Sequence, residues 1–343
     1  MKAVVVHEHG GLDALRIEER PKPEPRADEV LVQVRAVGLN HLDVWVRRGV
    51  PGHPFPLPIV PGCDGSGVVA AKGALVEHVK EGDPVLLAPG ISCGNCPACA
   101  SGRDNLCRRY GIFGETRDGT CAEFVLAPAR NAVPKPDAIS FEEAAAFPLA
   151  FLTAWHMVAA RAALRPGETV LVHAAGSGVS SAAIQIARLL GAGRIVATAG
   201  TDAKCERARA LGATDVVNYK TADFVAEVKK ITGKRGVDVV IDHVGAETFD
   251  RNVRALAAGG RFVLCGATSG FEGKTDLRFV FFKNLSILGS TMGSLGEVHE
   301  IVGHVAAGRL KPIVDAVLPL TEVREAHRRL EAREVFGKIV LRP

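Results

Sequence analysis

Four cysteines carry the clearest chemistry in this 343-residue chain: Cys93-Gly-Asn-Cys96-Pro-Ala-Cys99, then Cys107. Four thiolates on one short, glycine-containing loop suit a tetrahedral zinc ion. A site closed by four sulfurs keeps no open position, so the spacing predicts one structural zinc per chain. An iron–sulfur cluster also takes four cysteines. The bacterial cluster run is tighter before its last cysteine and is followed by proline; this segment has neither feature. Cys63, Cys121, Cys205 and Cys265 stand apart.

A second group surrounds a turn. Val170-Leu-Val-His173 runs into Ala174-Ala-Gly-Ser-Gly-Val-Ser-Ser181 and then a helix-like segment. Small residues let a backbone approach a pyrophosphate, and a helix N-terminus offers unpaired N–H groups. Gly176, Ser177, Gly178 and Val179 are therefore read as a dinucleotide-binding turn. An ordinary tight turn also uses glycine; the place between the first strand and helix of a βα series favours the nucleotide. Ser180 and Ser181 stand where a third glycine is common. The next strand ends Ala197-Thr-Ala-Gly-Thr201, without the acid that grips the ribose of NAD. Thr201, Lys204 and Tyr219 would instead hold a 2′-phosphate, which favours NADP(H) over NAD(H). A solvated Lys204 and a packed Tyr219 are the plainer alternative.

These groups need elements to hold them. Up to about residue 135 the chain reads as short strands broken by Pro-Gly turns, with residues 30–37 a half-buried strand. Ser140 with Glu143 forms a capping box ahead of an apolar run. Residues 170–173, 194–198, 215–219, 237–241, 261–265 and 285–288 then read as strands. Helices are expected at 179–190, 203–211, 224–232 and 248–257. Such alternation predicts a parallel, doubly wound α/β sheet. Helices at 297–307 and 321–331, the second capped by Thr321, precede a last strand at 337–341.

Composition narrows the class. Hydrophobic residues make up 47% and charged residues 23%, as in a globular protein. The net charge of +4 comes without a long Lys/Arg run, so nucleic acid and membrane surfaces are poor partners. The apolar start is broken by His7 and Glu8 and is too short for a signal peptide. Residues 144–160 hold Pro148, Thr153 and His156 and fall short of the ~20 residues a membrane span needs. They read as a buried helix. Without a secretory signal, eight cysteines point to reduced thiols and a cytoplasmic location.

The cysteine lobe, the nucleotide turn and their order resemble the medium-chain dehydrogenase/reductase superfamily, which holds the zinc alcohol dehydrogenases and quinone oxidoreductases. The resemblance covers essentially the whole length. It implies a GroES-like β-rich catalytic domain at 1–150 and a Rossmann domain at 151–293. A return segment, 294–343, would complete the catalytic domain. The family's catalytic zinc takes a Cys from Gly-x-Cys-x-x-Asp, and here that segment reads Gly38-Leu-Asn40-His-Leu-Asp43. The His of its Gly-His-Glu segment becomes Cys63 in Gly62-Cys63-Asp64. The third ligand, four residues before a threonine that packs on nicotinamide, becomes Leu149 before Thr153. Leu42 stands at the relay hydroxyl position. Asn40 is similar to the zinc-independent quinone oxidoreductase branch, in which the structural zinc is commonly missing. The resemblance also implies cofactor contacts at His243, Gly266 and Ala267, with Lys338 as a cation reaching the cofactor.

The expected activity is hydride transfer from NADPH or NADH to a small quinone, enone or aldehyde without catalytic zinc. Asn40, Asp64 and Thr153 would be catalytic, with the Asn40 amide donating to the developing oxyanion. The proton would come from water, His41 or Asp64. One alternative is alcohol oxidation on an atypical metal site of Cys63, Asp64 and His41. Another is a non-catalytic NADPH sensor. The resemblance further implies a homo-oligomer, a dimer or tetramer, formed by pairing the last strand of the nucleotide domain.

Overall fold

The strand Glu29–Gly38 is the axis of the N-terminal part of the molecule. It pairs antiparallel with Asp64–Lys72, Phe124–Pro128 and Lys338–Arg342 in a seven-stranded sheet. Val30, Val32, Val34 and Val37 sink into one core with Val4, Val6, Leu87 and Phe113. Ala36 instead packs with Ala145, Ala146 and Val340 beneath the helix Phe141–Ala146. The strand ends on glycine for a steric reason. A Cβ at Gly38 would lie 2.0 Å from the Ala145 carbonyl oxygen. That close approach draws the strand end against the helix region.

The computed structural model describes residues 1–343. The chain divides into Met1–Leu152 with Gly293–Pro343, and Thr153–Met292. In the first unit the capping box forms: Glu143 N donates to Ser140 Oγ at 3.1 Å, and Ser140 N to Glu143 Oε2 at 2.9 Å.

Two expectations about helices are corrected. The single buried helix over 144–160 is instead Phe141–Ala146, then Pro148–Trp155, then a π-turn His156–Arg161. Proline has no N–H to continue a helix and disfavours helical geometry before it, so Pro148 starts a new helix. Thr321 does not cap the next helix. It lies inside a 3₁₀ turn, Leu320–Glu322, and the helix Val323–Glu331 begins after it. The turn seats both Leu320 and Val323 in the core.

The second unit is a six-stranded parallel sheet. Counted along the chain, its strands are Thr169–Val172, Arg194–Ala199, Asp215–Asn218, Val237–Asp242, Leu256–Leu264 and Ser286–Gly289. In space they run 3-2-1-4-5-6, and every pair is parallel. The order reverses between the first and fourth strands. A crevice opens beyond the carboxyl ends of strands at such a point, and ligands bind there. This is the doubly wound sheet that the βα alternation predicts. No helix is long and apolar enough to cross a membrane.

Candidate active site

Asn40 follows directly on the Gly38 contact and precedes the helix His41–Arg48. Asp64 opens the neighbouring strand, and Lys338 opens the strand paired to Val37 and Gly38. Sheet pairing thus gathers three polar residues that are 24 and 274 positions apart in sequence. All three are buried. Lys338 Nζ donates to Asn40 Oδ1 and, at 3.1 Å, to Asp64 Oδ2. Asn40 Nδ2 donates to Asp64 Oδ2 at 2.9 Å and to Gly38 O at 3.1 Å, and it also lies 3.1 Å from Cys63 Sγ. Asp64 Oδ1 accepts from Leu149 N at 2.8 Å.

The chemistry of the donors fixes the amide. A lysine ammonium only donates, so it must face the Asn40 oxygen and leave Nδ2 on the other side. Both Nδ2 hydrogens are then directed at protein acceptors. The expectation that Asn40 donates to a substrate oxyanion therefore meets a lack of free hydrogens. Asn40 is instead the brace between Lys338 and Asp64.

Asp43 supports the brace from below. Its Oδ2 accepts from Asn40 N at 2.7 Å and its Oδ1 from Gly62 N at 3.0 Å. Burial pushes its carboxyl up to about 7, against those two backbone donors. Burial, together with the carboxylates of Asp43 and Asp64, holds Cys63 well above the ordinary thiol range. His41 is exposed, with its ring edge-on to Trp45 at 5.5 Å. The group of ligand atoms close enough to share one ion lies elsewhere, in the cysteine lobe.

The cysteine lobe is different. The sulfurs of Cys93, Cys96, Cys99 and Cys107 all lie within 4.8 Å of one another, and none is in a disulfide. Cys93 to Cys99 is 3.8 Å and Cys96 to Cys99 is 3.5 Å. A tetrahedron with zinc–sulfur bonds of about 2.3 Å has edges of about 3.8 Å, so the cage fits that ion. The backbone N–H of Asn95 leads in drawing the Cys93 thiol down to about 5. Asp104, inside the lobe, accepts from Leu295 N at 3.0 Å and so ties the lobe to the helix Leu295–Ala306.

In the second unit, Ser177 caps the helix Gly178–Leu189, with Ser180 N donating to its Oγ at 3.0 Å. Gly176, Gly178 and Val179 lie on this turn, and His243 Nε2 faces Ser177 Oγ at 2.9 Å and Ser180 Oγ at 3.1 Å. Gly266 and Ala267 follow the fifth strand, and a Cβ at Gly245 would lie 2.7 Å from Ala267 Cα. Thr201 caps its helix by accepting from Lys204 N at 3.3 Å. The Tyr219 hydroxyl lies where a Gly200 Cβ would come within 2.7 Å of it. Thr153 begins this unit, is buried, and makes no side-chain hydrogen bond.

Sequence reasoning missed one network beneath this turn. Asn252 Nδ2 donates to Asp242 Oδ2 at 3.0 Å, so its oxygen accepts from His173 Nε2 at 2.7 Å. His173 Nδ1 then accepts from Thr198 Oγ1 at 3.1 Å, and that oxygen accepts from Ala174 N at 3.2 Å. Burial lowers the His173 pKa, which keeps the ring neutral and this tautomer in place. The network joins the first, second and fourth strands at their carboxyl ends. A polar residue at the end of each apolar strand was its only trace in sequence.

Comparison with known proteins follows the same two parts. Residues 26–137 match the family described as Alcohol dehydrogenase GroES-like domain, and residues 178–307 match Zinc-binding dehydrogenase. A crystal structure described as an NAD-dependent alcohol dehydrogenase is 53% identical, with a TM-score of 0.96 over 100% of both chains. A zinc-type alcohol dehydrogenase-like protein of Schizosaccharomyces pombe is 32% identical over 100% of this chain and 99% of its own. The human quinone oxidoreductase is 30% identical over 99% of this chain and 97% of its own.

Proposed function

The chain belongs to the medium-chain zinc-containing dehydrogenase/reductase superfamily and is an NAD(P)-dependent oxidoreductase; we propose that it reduces a small quinone, enone or aldehyde without a catalytic zinc. One observation carries this reading. Where three metal ligands and an open position are needed, this chain has Asn40, Cys63 and Leu149, with the Lys338 ammonium bonded into the same cluster. The nicotinamide cofactor supplies the hydride. Gly176, Ser177, Gly178 and Val179 offer it the N-terminus of the helix Gly178–Leu189, and His243, Gly266 and Ala267 line the adjoining strand ends. Thr153 is the residue proposed to pack on the nicotinamide. The four-cysteine cage holds one structural zinc per chain. The human relative's name, quinone oxidoreductase, supports the substrate class. Eight unpaired thiols fit a reducing compartment such as the cytoplasm.

The test is zinc quantitation together with a screen of quinones, enones, aldehydes and alcohols with each cofactor. One zinc per chain, with reduction that survives removal of loosely held metal, is the expected result. Two zincs per chain, with turnover that needs the second, would overturn the reading.

NADP(H) is proposed over NAD(H). Asp202, just past the strand tip, accepts from Asn218 Nδ2 at 2.8 Å, while Lys204 and Tyr219 stand at the same tip. The 53%-identical structure is described as NAD-dependent, which pulls the other way. Fluorescence titration decides. Lys204→Ala is expected to weaken NADPH binding about tenfold, the loss of one charged contact of roughly 1.4 kcal/mol, and to leave NADH unchanged. Tighter binding of NADH than NADPH by the unaltered protein would reverse the assignment.

A further inference from the structure

Lys338 has one hydrogen to spare. An ammonium carries three N–H donors. Two are directed at Asn40 Oδ1 and Asp64 Oδ2, and Nζ makes no third hydrogen bond. Asn40, by contrast, has no free hydrogen, since Gly38 O and Asp64 Oδ2 take both. Asp64 and Leu149 supply none: Asp64 only accepts, and the Leu149 N–H is turned to Asp64 Oδ1. Among the polar groups of this cluster, the uncommitted donor is a cation.

We propose that Lys338 is the group that binds the reacting oxygen of the substrate, and that the substrate is a carbonyl compound whose oxygen becomes anionic during reduction. This rests on the reductase reading above. When the carbonyl carbon, or the β-carbon of an enone, receives a hydride with its electron pair, the C=O π pair moves onto oxygen. The Lys338 N–H holds that oxyanion, and a proton from water completes the alcohol or enol. The Asp64 carboxylate pairs with the ammonium at 3.1 Å and fixes its direction, which leaves the third N–H for the substrate oxygen. A preset donor aimed at developing charge in a water-poor site is strong because it needs no reorganisation. Asn40, pinned at both ends of its amide, is a positioning residue that holds Nζ in place. Lys338 thereby leaves the cofactor and joins the substrate oxygen.

The test combines turnover with a binding readout. The probes are 4-nitrobenzaldehyde as substrate and 4-nitrophenolate as an oxyanion whose visible absorbance reports its ionised form. Lys338→Met is expected to keep NADPH affinity within twofold and to lose about 10²–10³-fold in kcat/KM, the scale for one oxyanion donor. It is also expected to bind 4-nitrophenolate at least tenfold more weakly. Lys338→Arg, which keeps a cation and donors, is expected to retain more of both than Lys338→Met. If Lys338→Met weakens NADPH binding as much as turnover, Lys338 serves the cofactor and the proposal fails. If Lys338→Met binds 4-nitrophenolate as the unaltered protein does, or if a folded Lys338→Arg is no better than Lys338→Met, it fails as well. Should the unaltered protein reduce no carbonyl or quinone, the reductase reading fails. The phenolate titration still decides what Lys338 does.

Discussion

At the scale of single residues, the site turns on one amide between two charges. Truncating Asn40 leaves Lys338 and Asp64 each short of a buried hydrogen bond. Such a loss costs about 1–3 kcal/mol, more when the group is charged. Asn40→Ala is therefore expected to lower the free energy of unfolding, measured in urea, by that much while also reducing turnover. Cys63 makes a useful contrast, being a buried thiol that takes at most a weak contact from Asn40. Cys63→Ala is expected to cost only about 1 kcal/mol, a typical substitution, and to leave most of the activity. If Cys63→Ala abolishes turnover and Asn40→Ala does not, the site has been assigned to the wrong side chains. The sequence shows Asn40 and Cys63 as departures from a metal-binding pattern. The partner of Asn40 was illegible, because Lys338 lies 298 residues away and only strand pairing brings it near.

At the scale of elements, the helices His41–Arg48 and Val323–Glu331 are clamped by a buried cation. Arg47 Nη2 bonds Glu331 at 2.7 Å, and Nη1 lies 3.4 Å from His327 Nδ1. Burial first, then the Arg47 charge, pulls His327 down to about 3. In the unfolded chain it would take a proton near 6.5. Between those values the unfolded state binds the extra proton, so stability is lost as pH falls from 6.5 toward 3. His327→Gln is expected to reduce the loss between pH 7 and 4, on the order of 3 kcal/mol at one pK unit per 1.36 kcal/mol. An unchanged slope in acid unfolding would mean that His327 is not held neutral. Removing the zinc proposed for the cysteine cage would act on a different element. Because Asp104 bonds Leu295 N, stripping the metal should speed hydrogen exchange in 92–109 and around 293–300. The parallel sheet of 153–292 should be unmoved, and equal protection everywhere would uncouple the lobe from that helix. The strands were readable in advance because apolar runs such as Val170-Leu-Val and Val239-Val-Ile are bounded by glycines and polar turns. The break at Pro148 was misread because the apolar composition continues straight through it. The seat of Leu320 was missed because tertiary packing, rather than Thr321, starts the next helix.

At the scale of the whole molecule, the parallel sheet has two open edges, Asp215–Asn218 and Ser286–Gly289, and the second is flanked by exposed apolar side chains. The strand Ser286–Gly289 pairs on one side only, with Leu256–Leu264. Around it, Leu277, Phe281, Phe282 and Ile287 are exposed, Phe282 by 74%, and the two phenylalanine rings meet at a tilt of 50° with centroids 4.4 Å apart. An exposed apolar edge strand invites pairing with another chain, and grouped exposed apolar side chains mark an interaction surface. A second copy turned about a two-fold axis would present the same strand and the same rings, giving a self-complementary contact. This supports the homo-oligomer that the family resemblance implies, and it names the face. The double variant Phe282→Glu with Ile287→Lys puts charge on that face while leaving the buried strands Thr169–Val172 and Val237–Asp242 alone. In sedimentation, the unaltered protein is expected to run as a dimer or tetramer and the variant as a smaller species with its NADPH affinity intact. An unaltered protein that sediments as a monomer, or a variant that keeps its full size, would remove this edge from the assembly.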